Sequence, residues 1–234
     1  MRIRRVASLS AVLAAIAVQP LYAADLGTVV TKVDALSANL TATNAQLDKA
    51  KDALFKMVAS KEQKDKIDRD LAALKNVQDP KEKQAKLAAI EKEKADVVDQ
   101  ATAEKEAEKH QLSEDQKKQV PKVLFNLVWV GLQDTKLASD AKALLPEAKD
   151  ALKSASEKKS GGGFMGAISG AKKGAEDLKR GQQAVNEDLP RIAEEAPRQV
   201  QLAGAIAAGA KRLMAANKVP EGAPPTITSK PADF

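Results

Sequence analysis

The side chains that most often do chemistry in proteins are scarce in this sequence. It has one histidine, His110, and no cysteine. His110 lies on a polar stretch, directly after Glu106, Glu108 and Lys109, where an isolated imidazole is usually solvated. One histidine without cysteine cannot form the ligand sets typical of zinc, and a Ser-His-Asp triad would need His110 buried beside a serine. We therefore expect no enzyme, with no catalytic residue, no metal site and no cofactor.

Other binding signatures are missing as well. There is no phosphate-binding loop and no EF-hand, and the glycines at 161–163 and 166 do not follow a predicted strand, as a dinucleotide fingerprint requires. Acidic pairs such as Glu194 and Glu195 abound because 30% of the chain is charged, and they are most simply a solubilising surface. Aromatic residues make up 3% of the sequence. That supply disfavours base stacking, so we expect no nucleic-acid partner.

The first 23 residues are typical of a secretory signal peptide. Arg2, Arg4 and Arg5 precede an apolar run from Val6 to Val18, which ends before small residues at a cleavage site after Ala23. The run is shorter than the roughly 20 residues that cross a bilayer. This pattern predicts export to the periplasm, or secretion beyond it. Removing the three arginines lowers the formal net charge from +6 to +3.

Residues 25–59 carry the clearest periodicity. Two series of mostly apolar residues repeat every seven positions, the second following the first by three, through five repeats. This a/d pattern predicts one helix of roughly 30 residues that packs through a narrow seam. The sequence leaves open whether the seam closes within the chain or forms a homo-oligomer. The series are Leu26, Val33, Leu40, Leu47, Leu54 and Val29, Leu36, Thr43, Ala50, Met57.

Within a helical bundle spanning 24–217, residues 61–118 are the most polar and are interpreted as a helical hairpin arm. Residues 104–118 are nearly all charged or amide, which predicts a solvated, projecting tip. Three helix starts are marked by an N-cap residue and its partner: Ser60 with Gln63, Asp79 with Pro80, and Ser113 with Gln116.

Residues 119–217 are predicted to form a more apolar body. The window Val120–Leu132 is apolar on nearly all sides, which favours a buried central helix. A glycine-rich hinge is expected at 160–163. Beyond it, small residues at a spacing of four predict tight packing of 163–175 against 203–210, or a membrane contact. The candidate packing or membrane-contact residues are Gly166, Gly170, Gly174, Phe125 and Trp129.

The last segment, 218–234, holds four prolines and is predicted to be a disordered tail. The chain as a whole is predicted to be all-α, an elongated bundle or coiled coil of long antiparallel helices without a sheet.

Two functions fit these features. The first is a non-catalytic periplasmic binding, scaffold or chaperone-like protein with a protein partner. Its plan is similar in outline to helical-arm periplasmic chaperones, an analogy of shape without a shared motif. The alternative is a membrane-active helical protein that forms pores or perturbs bilayers by exposing 120–132 and 163–175. A carrier with a ligand slot inside the bundle is a weaker third hypothesis.

Overall fold

A computed structural model describes residues 25–161 and 170–233, and the side chains of 158–161 and 170–174 lie outside the description. The described residues are helical over most of their length and contain no strand, which confirms the all-α bundle. The elements are α1 (Leu26–Val58), α2 (Lys61–Ala73), a 3₁₀ turn (Leu74–Asn76), α3 (Pro80–Thr102), α4 (Glu104–Ala107), α5 (Glu114–Gly161), α6 (Gly170–Gln183), a π-helical segment (Ala184–Asp188) and α7 (Leu189–Ala216).

Helix α1 has 33 residues, and all ten members of its two heptad series are buried. They pack mainly against α5, with α3 and α7 completing the cover. The only polar member, Thr43, donates its hydroxyl to the Leu40 carbonyl at 3.0 Å. The seam predicted from the sequence therefore packs on helices of the same chain.

The three predicted helix starts are confirmed by their cap geometry. Ser60 and Gln63 form a reciprocal capping box at the start of α2, and the Asp79 carboxylate accepts from the Lys81 amide at 2.8 Å before α3. Gln116 closes a second box with Ser113, and its amide also donates to the Met57 carbonyl at 3.0 Å. This last bond ties the start of α5 to the end of α1.

Two long helical runs form the body. Helix α5 spans 48 residues, and neither Pro121 nor Pro146 interrupts it. Helices α6 and α7 join through the π-helical segment, so the chain is helical from 170 to 216. The two runs are antiparallel, because 120–130 of α5 shares a core with 203–214, whereas 137–151 shares another with 184–196.

The hairpin arm is only partly separate from the body. Residues 81–89 of α3 are exposed, but Ile90, Val98 and Ala101 enter the core beside α1 and α7. Lys94 also lies there, and although burial lowers its pKa, hydrogen bonds to Asp52 and Glu91 raise it above the ordinary value.

The expectation of a projecting tip at 104–118 is wrong. Ala107 and Leu112 are buried in the core. The Asn217 side chain at the end of α7 donates to the His110 carbonyl and accepts from the Leu112 amide, each at 2.8 Å. Two apolar residues among many charges are enough to fix this segment against α7, because its backbone groups are also bonded.

The core falls into two clusters along the bundle. One surrounds 120–130 of α5, and the other surrounds 137–151. Between them α1, α5 and α7 contribute the buried polar residues Thr43, Asp134 and Gln199. We call these three residues the polar layer.

Candidate peptide-binding groove

One face of α5 carries four side chains that bind a different part of the chain. They are spaced by four, three and four residues, so they form a single stripe about 17 Å long on the helix surface. We call this stripe the groove. Its members are Lys122, Asn126, Trp129 and Gln133.

A sharp turn after α7 sends the chain back toward the groove. The Val219 amide donates to the Met214 carbonyl at 2.9 Å and the Lys218 amide to Ala215 at 3.1 Å, which is a Schellman motif. Lys218 takes the left-handed conformation with φ of 55°. Val219 then packs on the core cluster around 120–130, as the motif favours.

The segment that follows runs out along α7 and returns along α5. On the outward leg Glu221 pairs with Lys211 at 3.1 Å, and Pro225 is buried. A turn closes at Thr226, whose carbonyl accepts from the Ser229 amide at 3.0 Å, while the Ser229 hydroxyl accepts from the Thr226 amide at 2.8 Å. We call residues 226–233, the turn with the return leg, the strap.

The groove holds the strap through its main chain. Gln133 donates to the Ile227 carbonyl at 2.6 Å, and the Trp129 indole N–H donates to the Ser229 carbonyl at 2.7 Å. Farther along, Lys122 donates to the Asp233 carbonyl at 3.0 Å. As residue numbers rise along α5 they fall along the strap, so the strap runs antiparallel to the helix.

Asn126 makes the most specific contact. Its amide group donates to the Ala232 carbonyl at 2.9 Å, and its carbonyl oxygen accepts from the Ala232 amide at 2.7 Å. A primary amide thus pairs with both main-chain groups of one residue, much as a neighbouring strand does. Asn126 is 0% exposed and Trp129 is 7% exposed. Both polar groups are therefore buried with their partners, as buried polar groups need to be.

The structure thus differs from the sequence expectation for 218–234. Prolines and few apolar residues predicted a disordered tail, yet 218–233 takes a defined path with its carbonyls bonded to α5. Proline restricts the free chain, which lowers the entropy lost when such a segment docks. The partners are side chains of α5, so the pattern of the tail itself gives no sign of them.

The candidate contact residues lie in different places. Trp129 packs in the core and binds the strap, while Phe125, on the same helix, is half-buried. Gly166 lies outside the described residues, together with residues 162 and 163 of the expected 160–163 hinge, whereas the backbone of 160 and 161 belongs to α5. Gly170 and Gly174 lie at the start of α6, and for residues 170–174 only the backbone is described.

The expected packing of 163–175 against 203–210 does not occur in the described residues. A continuous helix joins residue 174 to residue 203, which separates them by about 44 Å. The small residues of α7 pack instead on α3 and α5. A Cβ at Gly209 would lie 2.5 Å from the Thr102 hydroxyl, so this glycine allows α3 to approach closely.

The polar layer is incompletely satisfied. Among the described residues, neither carboxylate oxygen of Asp134 has a hydrogen-bond partner, and the carbonyl oxygen of the Gln199 side chain has none either. Burial raises the pKa of Asp134 from 3.8 to about 6. Because Thr43 donates to Leu40, it leaves the carboxylate without a donor. The polar layer therefore lowers the stability of the fold at the boundary between the two apolar clusters.

Other surface features give less to build a site from. An open cleft of about 450 Å³ lies where α1 ends, and Met57, Val97, Glu106 and His110 are among its lining residues. In the part of the chain that is described, no three potential metal ligands cluster. No helix among the described residues is long and apolar enough to cross a membrane.

Comparison with known proteins gives no relative from which to transfer a function. Family models, curated proteins and solved structures all yield no match to this chain. The groove is therefore interpreted on its own geometry.

Proposed function

We propose that this chain is a non-catalytic exported protein of the periplasm, or secreted beyond it, that binds other polypeptides as a scaffold or chaperone-like protein. The observation that supports this most is the groove, which binds an extended segment through main-chain carbonyls. Main-chain contacts tolerate many sequences, and that tolerance suits a protein that holds unfolded or extended partners. The proposed export rests on the sequence of residues 1–23, which lie outside the described residues.

The shape of the bundle also supports binding along an extended surface. Helix α5 alone has 48 residues, which is about 72 Å of helix. The hairpin of α2 and the first half of α3 is mostly exposed and adds charged surface next to α1. Nothing in this proposal requires a cofactor or a catalytic residue.

The test uses the chain that begins at Ala24 and a permanently unfolded client, reduced and carboxymethylated α-lactalbumin labelled with fluorescein. Anisotropy is measured as the protein is titrated into the client. We expect saturable binding. In a chain that ends at Pro225, which removes the strap from the groove, Asn126→Ala should weaken binding about tenfold, because the client loses a two-way hydrogen bond. Thr135→Ala, an exposed polar change on the same helix, is the matched control and should bind like the unaltered chain.

Absence of binding to this client by both the full chain and a chain ending at Pro225 would contradict the proposal. Equal binding by the chain ending at Pro225 with and without Asn126→Ala would place the client elsewhere on the bundle.

The alternative, a membrane-active protein, is tested with the same sample. It requires 120–132 to leave the core, yet Val120, Val123 and Val130 are 0% exposed. Vesicles of phosphatidylethanolamine and phosphatidylglycerol loaded with a self-quenching dye would release it if the segment inserts. We expect no release above the buffer control, and concentration-dependent leakage would favour the alternative.

A further inference from the structure

We infer that the strap is a resident, displaceable ligand of the groove, and that the groove's outside ligand is a proline-containing segment that turns and then extends as residues 226–233 do. This inference rests on the proposed function, because it specifies what the groove binds and how access is regulated. The observation that supports it is the set of hydrogen bonds from α5 side chains to the main chain of the strap.

The groove recognises the path of the strap rather than its side chains. All four α5 side chains bond to main-chain atoms. The Ile227 carbonyl is bonded while its side chain remains 36% exposed, although an isoleucine that stabilised the fold by burial would be covered. Thr228, Lys230 and Asp233 are exposed too. Most of the strap's side chains are therefore free to vary in a competing segment.

Two positions do restrict the ligand. Pro231 and Ala232 are half-buried, and the Ala232 amide must be free to donate to Asn126. A ligand therefore needs proline or a small residue at the first of these positions. At the second it needs a small residue with a free backbone N–H. The turn at Thr226–Ser229 sets the third requirement, since it aligns two carbonyls with Gln133 and Trp129.

The strap is built to leave without unfolding the bundle. Between the end of α7 and the strap, residues 220–224 are exposed, and the side-chain bond there is the solvated Lys211–Glu221 pair. Exposed ion pairs contribute little to stability. A tethered strap at an effective concentration of about 1 mM, whose free form binds the open groove with a Kd of about 10 μM, would weaken the binding of an outside ligand about a hundredfold.

The experiment uses a fluorescein-labelled peptide of residues 218–234 as the probe. It is titrated with the full mature chain and with a chain that ends at Pro225, whose groove is open. We expect the shortened chain to bind the peptide about a hundredfold more tightly than the full chain. In the shortened chain, Asn126→Ala should weaken binding about tenfold.

Altered peptides distinguish specific binding in the groove from nonspecific binding. Ala232→Pro in the peptide removes the N–H that Asn126 accepts and should weaken binding about tenfold. Lys230→Ala changes an exposed position and should leave affinity within about twofold. Equal loss in both peptides would overturn the inference.

A second variant covers the case in which the shortened chain loses its helical circular dichroism. The full chain with Ala232→Pro keeps every residue of the bundle but frees the strap, and it should bind the peptide more tightly than the unaltered chain. Equal affinity of all chains, or no binding by the open ones, would overturn the inference. Binding of the peptide without binding of carboxymethylated α-lactalbumin would instead keep the inference and refute the chaperone-like function.

Discussion

The two halves of α5 are covered by different parts of the chain. The second half, 137–157, shows a narrow apolar stripe that α1 and the α6–α7 run cover, and its outer face is charged. The first half, 120–133, is apolar on nearly all sides and needs more cover than the neighbouring helices give. The strap supplies that cover, and the polar residues on its side become binding groups rather than a solvated face.

The comparison teaches that polar residues within an apolar helix can mark a docked segment. Lys122 and Asn126 interrupt the apolar run, and Gln133 follows it. In the second half, residues at similar spacing, such as Lys142 and Lys149, are simply exposed. The difference is that the strap lies beside the first half, where its carbonyls accept hydrogen bonds from these side chains.

The boundary between the halves should show the largest effect. Asp134→Asn removes a charge that the fold buries, so the variant should exceed the unaltered chain in unfolding free energy by about 3 kcal/mol above pH 6, as the rise of the pKa from 3.8 to about 6 implies. A raised carboxyl pKa means that the native state binds the proton more tightly. The advantage should therefore vanish below pH 3.8 and grow through the window up to about 6. Urea unfolding from pH 3 to 8 measures it.

Asp140→Asn is the control for this measurement, because Asp140 lies on the same helix in an ion pair with Lys136 at the surface. It should change the unfolding free energy by less than about 1 kcal/mol. Parallel pH profiles for the two variants would contradict the proposed weakness at the boundary.

Close helix approach in the strap-bearing half predicts the next effect. Gly209→Ala should lower the unfolding free energy by about 1–3 kcal/mol, because Thr102 is buried and has no room to move from the new Cβ. Gly204 lies on the same helix, and no described atom of another element lies within 4 Å of a Cβ added there. Gly204→Ala should therefore raise the unfolding free energy by up to about 1 kcal/mol. Chemical denaturation distinguishes the two, and losses of equal size would argue against a special contact at Gly209.

Weakening one end of the groove should loosen the strap alone. Gln133→Ala removes the bond to the Ile227 carbonyl and costs about 1 kcal/mol of strap docking. The amide of Ala232 should then exchange with solvent about fivefold faster by NMR, while amides in α1 keep their rates. Thr135→Ala serves as control, and an unchanged Ala232 rate in Gln133→Ala would show that the bond is not formed.

The turn that delivers the strap should give the smallest effect. Lys218→Gly relieves a side chain at positive φ and should raise the unfolding free energy by about 0.5 kcal/mol. Lys218→Ala keeps a Cβ and should be nearly neutral. A gain from alanine as large as that from glycine would mean that φ is not the cause.

Heptad periodicity and cap residues were sufficient to predict the helices from the sequence. The heptads of α1 and the boxes at Ser60 and Ser113 are local patterns, and each is confirmed. The strap could not be predicted in the same way, because its bonds join residues about a hundred positions apart. The packing of 203–210 was also misjudged, since small-residue spacing indicates close approach without naming the partner helix.

The central claim is that the strap covers Trp129. This is the only tryptophan of the chain, so its fluorescence reports the groove without labelling. We predict blue-shifted emission and weak acrylamide quenching for the full chain, with a red shift and stronger quenching when the chain ends at Pro225. Identical spectra and quenching for the two folded chains would contradict the account.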